Sequence, residues 1–191
     1  MQGEEVVAPQ APGTLAQQQA RLRASNAREV NYFGWSVAVD GDTVVIGAIY
    51  ESRVARRSGA VYVFVREGKM WSQQAYLKAS NADINDTFGR SVTVDGDTIV
   101  VGTIYEDSGT RGVNGDQTDN TAESSGAAYV FVREGETWSQ QAYLKASNTD
   151  AGDGFGSSVA IDGNTVVVGA YGEDSNATGT DGDETDNSAS A

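Results

Sequence analysis

The residues of this 191-residue chain best equipped for chemistry are carboxylates and side-chain amides in short clusters. Asn81-x-Asp83-x-Asn85-Asp86 and Asn148-x-Asp150-x-x-Asp153 each gather several hard oxygens. Two longer stretches, Asn114-Gly115-Asp116-Gln117-Thr118-Asp119-Asn120 and Asp181-Gly182-Asp183-Glu184-Thr185-Asp186-Asn187, gather more. Such sets suit calcium, which takes about six to eight oxygen ligands. They equally suit Asx turns, in which a short side chain accepts a hydrogen bond from nearby backbone, and solvated acidic loops. Both readings stay open for Asp83, Asn85, Asp86, Asp116, Asp119, Asp150, Asp153, Asp181, Asp183 and Asp186. The longer stretches are not EF-hands, because the closing Glu and the central Gly are misplaced. Two carboxylates about 5–9 Å apart could also hydrolyse a glycoside. Nothing in the sequence joins an acid pair to an apolar pocket, so a hydrolase is a remote alternative.

Composition narrows the field. The chain has no His and no Cys, which excludes imidazole chemistry, thiol nucleophiles, disulfides and thiolate metal sites. A formal net charge of −14 argues against a nucleic-acid partner, since phosphate binding needs a basic surface. No apolar run is long enough to insert as a membrane-spanning helix, and the N-terminus lacks the basic and apolar regions of a signal peptide. Arg53, Arg56 and Arg57 form the one basic cluster, read as a solvated loop.

The elements that must position these groups repeat. Phe33-Gly34, Phe88-Gly89 and Phe155-Gly156 each precede a closing glycine, Gly47, Gly102 or Gly169, by the same interval. Within a copy, Val92 and Val94 alternate with Ser91, Thr93 and Asp95, the period of a half-buried strand. Asp95-Gly96-Asp97 supplies a turn, and the β-branched run Thr98 to Val101 suits a strand buried on both faces. A second strand pair follows: Gly59 to Val65 with Trp71 to Lys78, and Gly126 to Val132 with Trp138 to Lys145. Each repeat is thus expected to be a four-stranded antiparallel meander. The aromatics Phe64, Trp71, Tyr76, Phe131, Trp138 and Tyr143 are read as packing between repeats, with carbohydrate stacking as the alternative.

In chain order, residues 1–13 read as a disordered lead-in and residues 14–191 as repeats: copy one about 33–81, copy two about 82–148, partial copy three about 149–191. Gln18-Gln19-Ala20-Arg21-Leu22-Arg23-Ala24-Ser25-Asn26 matches Gln73 to Asn81 and Gln140 to Asn148, so the repeats begin on a last strand. Phe33 to Phe88 spans 55 residues and Phe88 to Phe155 spans 67; the excess lies in the acidic connection Glu106 to Ser125. Copy three reaches the same acidic connection at Glu173 to Asn187 without its last two strands.

The Phe-Gly starts, the Gly47-Ala48 and Gly169-Ala170 endings, and the Gly-Ala-x-Tyr-Val-Phe strands resemble FG-GAP repeats, as in the integrin α-subunit propeller and bacterial surface proteins. The resemblance implies an all-β chain of β-propeller blades, about two and a half to three of them. It implies a non-enzymatic binding or adhesion module, extracellular or at the cell surface, with a protein or glycan ligand and calcium as a supporting ion. A scaffold or spacer beside another domain of a longer parent is the alternative. The chain departs from the family pattern at Ile49, Ile104 and Tyr171, where the Pro would stand, and at Thr103. The hairpin turns Asp40-Gly41-Asp42, Asp95-Gly96-Asp97 and Asp162-Gly163-Asn164 are too short for the family's calcium loop, so that site is not carried over. Because a propeller typically needs four to eight blades, the Thr165 to Gly169 edge is expected to be open to a longer parent or to self-association.

Overall fold

A computed structural model describes residues 5–7, 17–28, 30–176, 178, 182, 183 and 188. The described chain is all strand and connection. Strands β3 (Phe33–Asp40), β4 (Thr43–Ala48), β5 (Ala60–Glu67) and β6 (Met70–Leu77) form one antiparallel sheet in that order. Strands β7 (Ser91–Asp95), β8 (Thr98–Thr103), β9 (Ala127–Glu134) and β10 (Thr137–Leu144) form a second. Strands β11 (Phe155–Asp162) and β12 (Thr165–Ala170) form a third, two-stranded sheet. These are two whole blades and the first half of another, in an unclosed propeller.

The stretch read as a last strand is one: β2 (Gln18–Arg21) pairs antiparallel with β1 (Glu5–Val7). Residues 5–7 thus pair inside the segment read as lead-in, whose remaining residues 1–4 and 8–13 lie outside the described set. The pairing has the register of the second half of a blade. Val6 faces Ala20 and Val7 faces Gln18, as Val130 faces Ala142 and Phe131 faces Gln140, with the same bulge between. The chain therefore carries the second half of a blade at its start and the first half of one at its end.

Alternation explains the layering. The middle strands β4 and β8 are buried on both faces because a blade packs on each side. One core joins blade one to blade two through Val45, Val61, Val63 and Leu77 against Phe88, Val94, Tyr129 and Phe131. Another joins the β1–β2 half-blade to blade one through Leu22 and Ala24 against Ile46, Tyr62 and Phe64. A third joins blade two to β11–β12 through Val100 and Val130 against Val159, Ile161 and Val168. Trp138, Tyr143, Phe131, Phe64, Trp71 and Tyr76 all belong to these cores.

The repeated motif is the contact between blades. Ser36 Oγ donates to Gly89 O at 2.7 Å and Ser91 Oγ donates to Gly156 O at 2.8 Å. These carbonyls sit against Gly47 and Gly102, where any Cβ would enter the carbonyl's van der Waals shell. At the opposite end, Asp40 Oδ2 accepts from Gly96 N at 2.8 Å and Asp95 Oδ2 accepts from Gly163 N at 2.6 Å. The Asp-Gly turns thus serve as rungs from each blade to the next.

Candidate functional site at the loop end of the blades

Antiparallel order puts two kinds of connection at one end of each blade: the loops between the second and third strands, and the crossings from each fourth strand to the next first strand. They are laced together. Asn85 N donates to Arg56 O at 2.8 Å, Thr87 N to Arg57 O at 3.1 Å and Phe88 N to Ser58 O at 3.0 Å. The next junction repeats the lacing: Gly152 N to Glu123 O at 2.9 Å, Gly154 N to Ser124 O at 3.1 Å and Phe155 N to Ser125 O at 2.9 Å.

Under these loops lies a buried polar network. Glu106 accepts from Tyr143 Oη at 2.7 Å and from Asn81 Nδ2 at 2.9 Å, and pairs with Lys145 Nζ at 2.8 Å. Lys145 also reaches Ser125 Oγ at 2.7 Å, and Tyr129 Oη donates to Asn81 Oδ1 at 2.7 Å. Burial pulls the Lys145 ammonium below its ordinary pKa while Glu106 pulls it back, and burial raises the Tyr129 and Tyr143 phenols. Blade one repeats the plan with Glu51, Tyr76, Lys78 and Asn26, more loosely: Lys78 stands 3.4 Å from Glu51. In copy three only Asn148 and Glu173 are present, 2.9 Å apart. No local motif marks this network in the sequence. Its signal was a constant separation of 25 residues in Asn26–Glu51, Asn81–Glu106 and Asn148–Glu173.

The acidic candidates form turns. Asp86 accepts from Asp83 N at 2.7 Å, and Asp153 accepts from Asp150 N at 2.7 Å. Asp83 Oδ1 accepts from Ile84 N at 2.6 Å, and Asn85 holds a left-handed backbone at φ 70°. Asp116 accepts from the Thr118 amide at 2.9 Å and its hydroxyl at 2.7 Å, which together hold its carboxyl below the usual range. Asp119 accepts from Thr121 N at 3.0 Å and Gly109 N at 3.1 Å. Asp183 O receives the Ser175 hydroxyl at 3.3 Å, whereas Asp181 and Asp186 lie outside the described residues. Among the described residues, no three acidic side chains converge as a metal-holding group. Asp83, Asp86, Asp116, Asp119 and Asp153 are thus engaged by donors within their own loops or the adjoining turns.

Asp86 is the unusual member. It is buried, and burial first, then the nearby Glu106, Asp83 and Asp107 charges, push its carboxyl up to about 7, against the lowering effect of the Asp83 amide. The folded chain thus keeps a proton that the unfolded chain releases near 3.8. Stability from this group is fully present below that value and is lost as pH rises toward about 7. Asp86→Asn keeps the acceptor for Asp83 N and never charges. It is expected to melt above the parent at pH 8 and level with it at pH 4; a gap independent of pH would refute the assignment.

The open part of this end is aromatic and cationic. The Tyr32 and Tyr50 rings meet edge-on at 4.7 Å between centroids, and Trp35 lies 6.1 Å from Tyr32. Arg57 lies over Tyr50 at 4.7 Å, and Arg90 of blade two lies over Trp35 at 4.8 Å. Arg57, read as a solvated loop residue, is thus held on a ring.

The FG-GAP repeat family profile matches residues 16–64, 71–131 and 138–187. No curated protein matches the chain. No helix among the described residues is long and apolar enough to cross a membrane.

Proposed function

The chain belongs to the FG-GAP repeat family, and from that membership we propose a non-enzymatic binding or adhesion module, acting outside the cell or on its surface. The observation that carries this reading is the division of labour between the two ends of the blades. The Asp-Gly turns are short and bonded to their neighbours, whereas the loop end holds all the length variation and the exposed Trp35 and Tyr105. Amphipathic rings with adjacent guanidinium groups suit a protein or glycan ligand. The carboxylates that do lie beside Tyr and Lys, Glu51 and Glu106, are engaged within their blade and by the asparagine of the preceding crossing, which supports a non-catalytic reading.

The test is capture of the chain on arrays of glycans and extracellular-matrix proteins, beside a Trp35→Ala/Tyr50→Ala variant. We expect capture that the variant loses without a lower melting temperature. Capture in calcium and in chelator should be equal, given how the described carboxylates are engaged. Equal signal from parent and variant, or no capture at all, would leave a scaffold or spacer role as the better account. Stronger capture in calcium would favour a calcium-supported module.

A further inference from the structure

We propose that a second copy of this chain docks head to tail, the β11–β12 half-blade of one copy completing a blade with the β1–β2 half-blade of the other. Three observations converge on this occupant.

The first is register. Within whole blades, Val100 of the second strand pairs with Val130 of the third, and Ile99 with Phe131. Val167 and Val166 hold the Val100 and Ile99 positions in β12; Val6 and Val7 hold the Val130 and Phe131 positions in β1. The β12 edge and the β1 edge, both unpaired among the described residues, are therefore the missing halves of one ladder. Pairing them removes two exposed edges at once.

The second is the apolar faces left bare. Val167 is 61% exposed, while its counterparts Val45 and Val100 are fully buried under the following blade. On the first strand of blade one, Val37 and Val39 are 56% and 67% exposed, while Val94, the counterpart of Val39, is 9% exposed. In the intact junctions these two sets pack on each other: Val45 shares a core with Val92 and Val94, and Val100 with Val159 and Ile161. The half-blade β1–β2 covers only the outer part of blade one. The uncovered inner part has the shape of the two strands it lacks, which β11–β12 would supply. Gly169 tells the same story, since a Cβ there would meet only serines of its own strand pair, not a following blade's carbonyl.

The third is charge. Glu51 and Glu106 each pair with a lysine on the fourth strand of their blade, Lys78 or Lys145. Glu173 is their counterpart, bonded to Asn148 in the same way. Its fourth strand would be β2 of the other copy, where Arg23 occupies the Lys78 and Lys145 position and Arg21 that of Tyr76 and Tyr143. Arg23 and Arg28 line a cavity of about 630 Å³ at the start of blade one. In the intact junctions that place is taken by the preceding loop, residues 56–58 or 123–125. Glu173 and Asp174 have the complementary sign. A chain of net charge −14 resists indiscriminate association, so the basic cavity matters.

Among the described residues each copy has two whole blades and two halves, so two copies joined reciprocally would make six, within the usual propeller range of about four to eight. A heterologous contact of this kind makes a ring when the rotation closes.

Sedimentation of the full chain over a range of concentrations tests this. The expected species is a dimer. Glu173→Lys and Arg23→Glu should each give a folded monomer, and Glu173→Lys/Arg23→Glu together should restore the dimer. Val167→Glu, a change at an exposed site of the single chain, should also give a folded monomer. A parent that stays monomeric at every concentration, or a dimer indifferent to all four variants, would overturn the proposal. The monomeric result would hand these faces to a further segment of a longer parent.

Discussion

Glu106→Ala is expected to cost about 3–5 kcal/mol of unfolding free energy, the range for stripping one partner from a buried ion pair. Lys145 is wholly buried, and its ammonium would keep only the Ser125 hydroxyl. Tyr143 and Asn81 would lose an acceptor as well, and each orphaned buried donor adds its own desolvation cost. Glu51→Ala should cost less, because its lysine stands farther away and reaches some solvent. Glu173→Ala should be nearly silent in the single chain, where no lysine depends on it. Denaturant unfolding of the three variants should rank them in that order. Equal losses would mean that the network packs space without supplying charge compensation.

Gly102→Ala should be far more damaging than one added methyl on an open surface. The new Cβ would lie inside the contact distance of Gly156 O and 2.8 Å from its carbonyl carbon. Both are backbone atoms, so relief requires the third sheet to move off blade two. Overpacking of this kind costs about 1–3 kcal/mol and sometimes more. Gly47→Ala meets the Gly89 carbonyl in the same way. Gly169→Ala meets only the side chains of Ser157 and Ser158, and is the internal control. Because stability in stacked repeats is carried by neighbour contacts, the loss should appear as early unfolding of β11–β12. Hydrogen exchange resolves this: in Gly102→Ala the β11–β12 amides should exchange earlier than those of β3–β6. Uniform exchange across the chain would count against the mechanism.

Most of the architecture was legible because period-two alternation and turn chemistry act locally. Val92-x-Val94, Asp95-Gly96-Asp97 and the Thr98 run set a hairpin without help from the rest of the chain. The match of Gln18 to Asn26 with the later copies also placed β2, against helix-forming composition. Strand β1 was not legible, since residues 5–7 lack the Gly-Ala-x-Tyr-Val-Phe pattern and only pairing with β2 defines them. The crossings were legible as turns in copies two and three, but their backbone only where glycine stands. Gly152 and Gly154 show left-handed backbone at φ 91° and 62°, but the same conformations fall on Val30 and Tyr32 in copy one and Asn85 and Thr87 in copy two. Asn tolerates that region, but Val, Tyr and Thr give no hint of it. At the candidate site, the acidic clusters stood out by composition, yet the oxygens of Asp83, Asp86, Asp116, Asp119 and Asp153 are engaged with nearby amides. The carboxylate with the most consequence, Glu106, looked like the first residue of a loop. Its role depends on residues 25 before and 39 after it, which no local window joins.

The rungs between blades run one way. In each, the side chain belongs to the earlier blade and the backbone group to the next: Asp40 accepts from Gly96 and Asp95 from Gly163, while Ser36 donates to Gly89 O and Ser91 to Gly156 O. Every blade therefore has a leading surface and a trailing surface, and the two fit each other rather than themselves. A tandem duplication of one blade's coding segment then yields a unit that already carries both surfaces and can follow or precede any other. Such a gene can lengthen or shorten by whole blades without inventing a new interface.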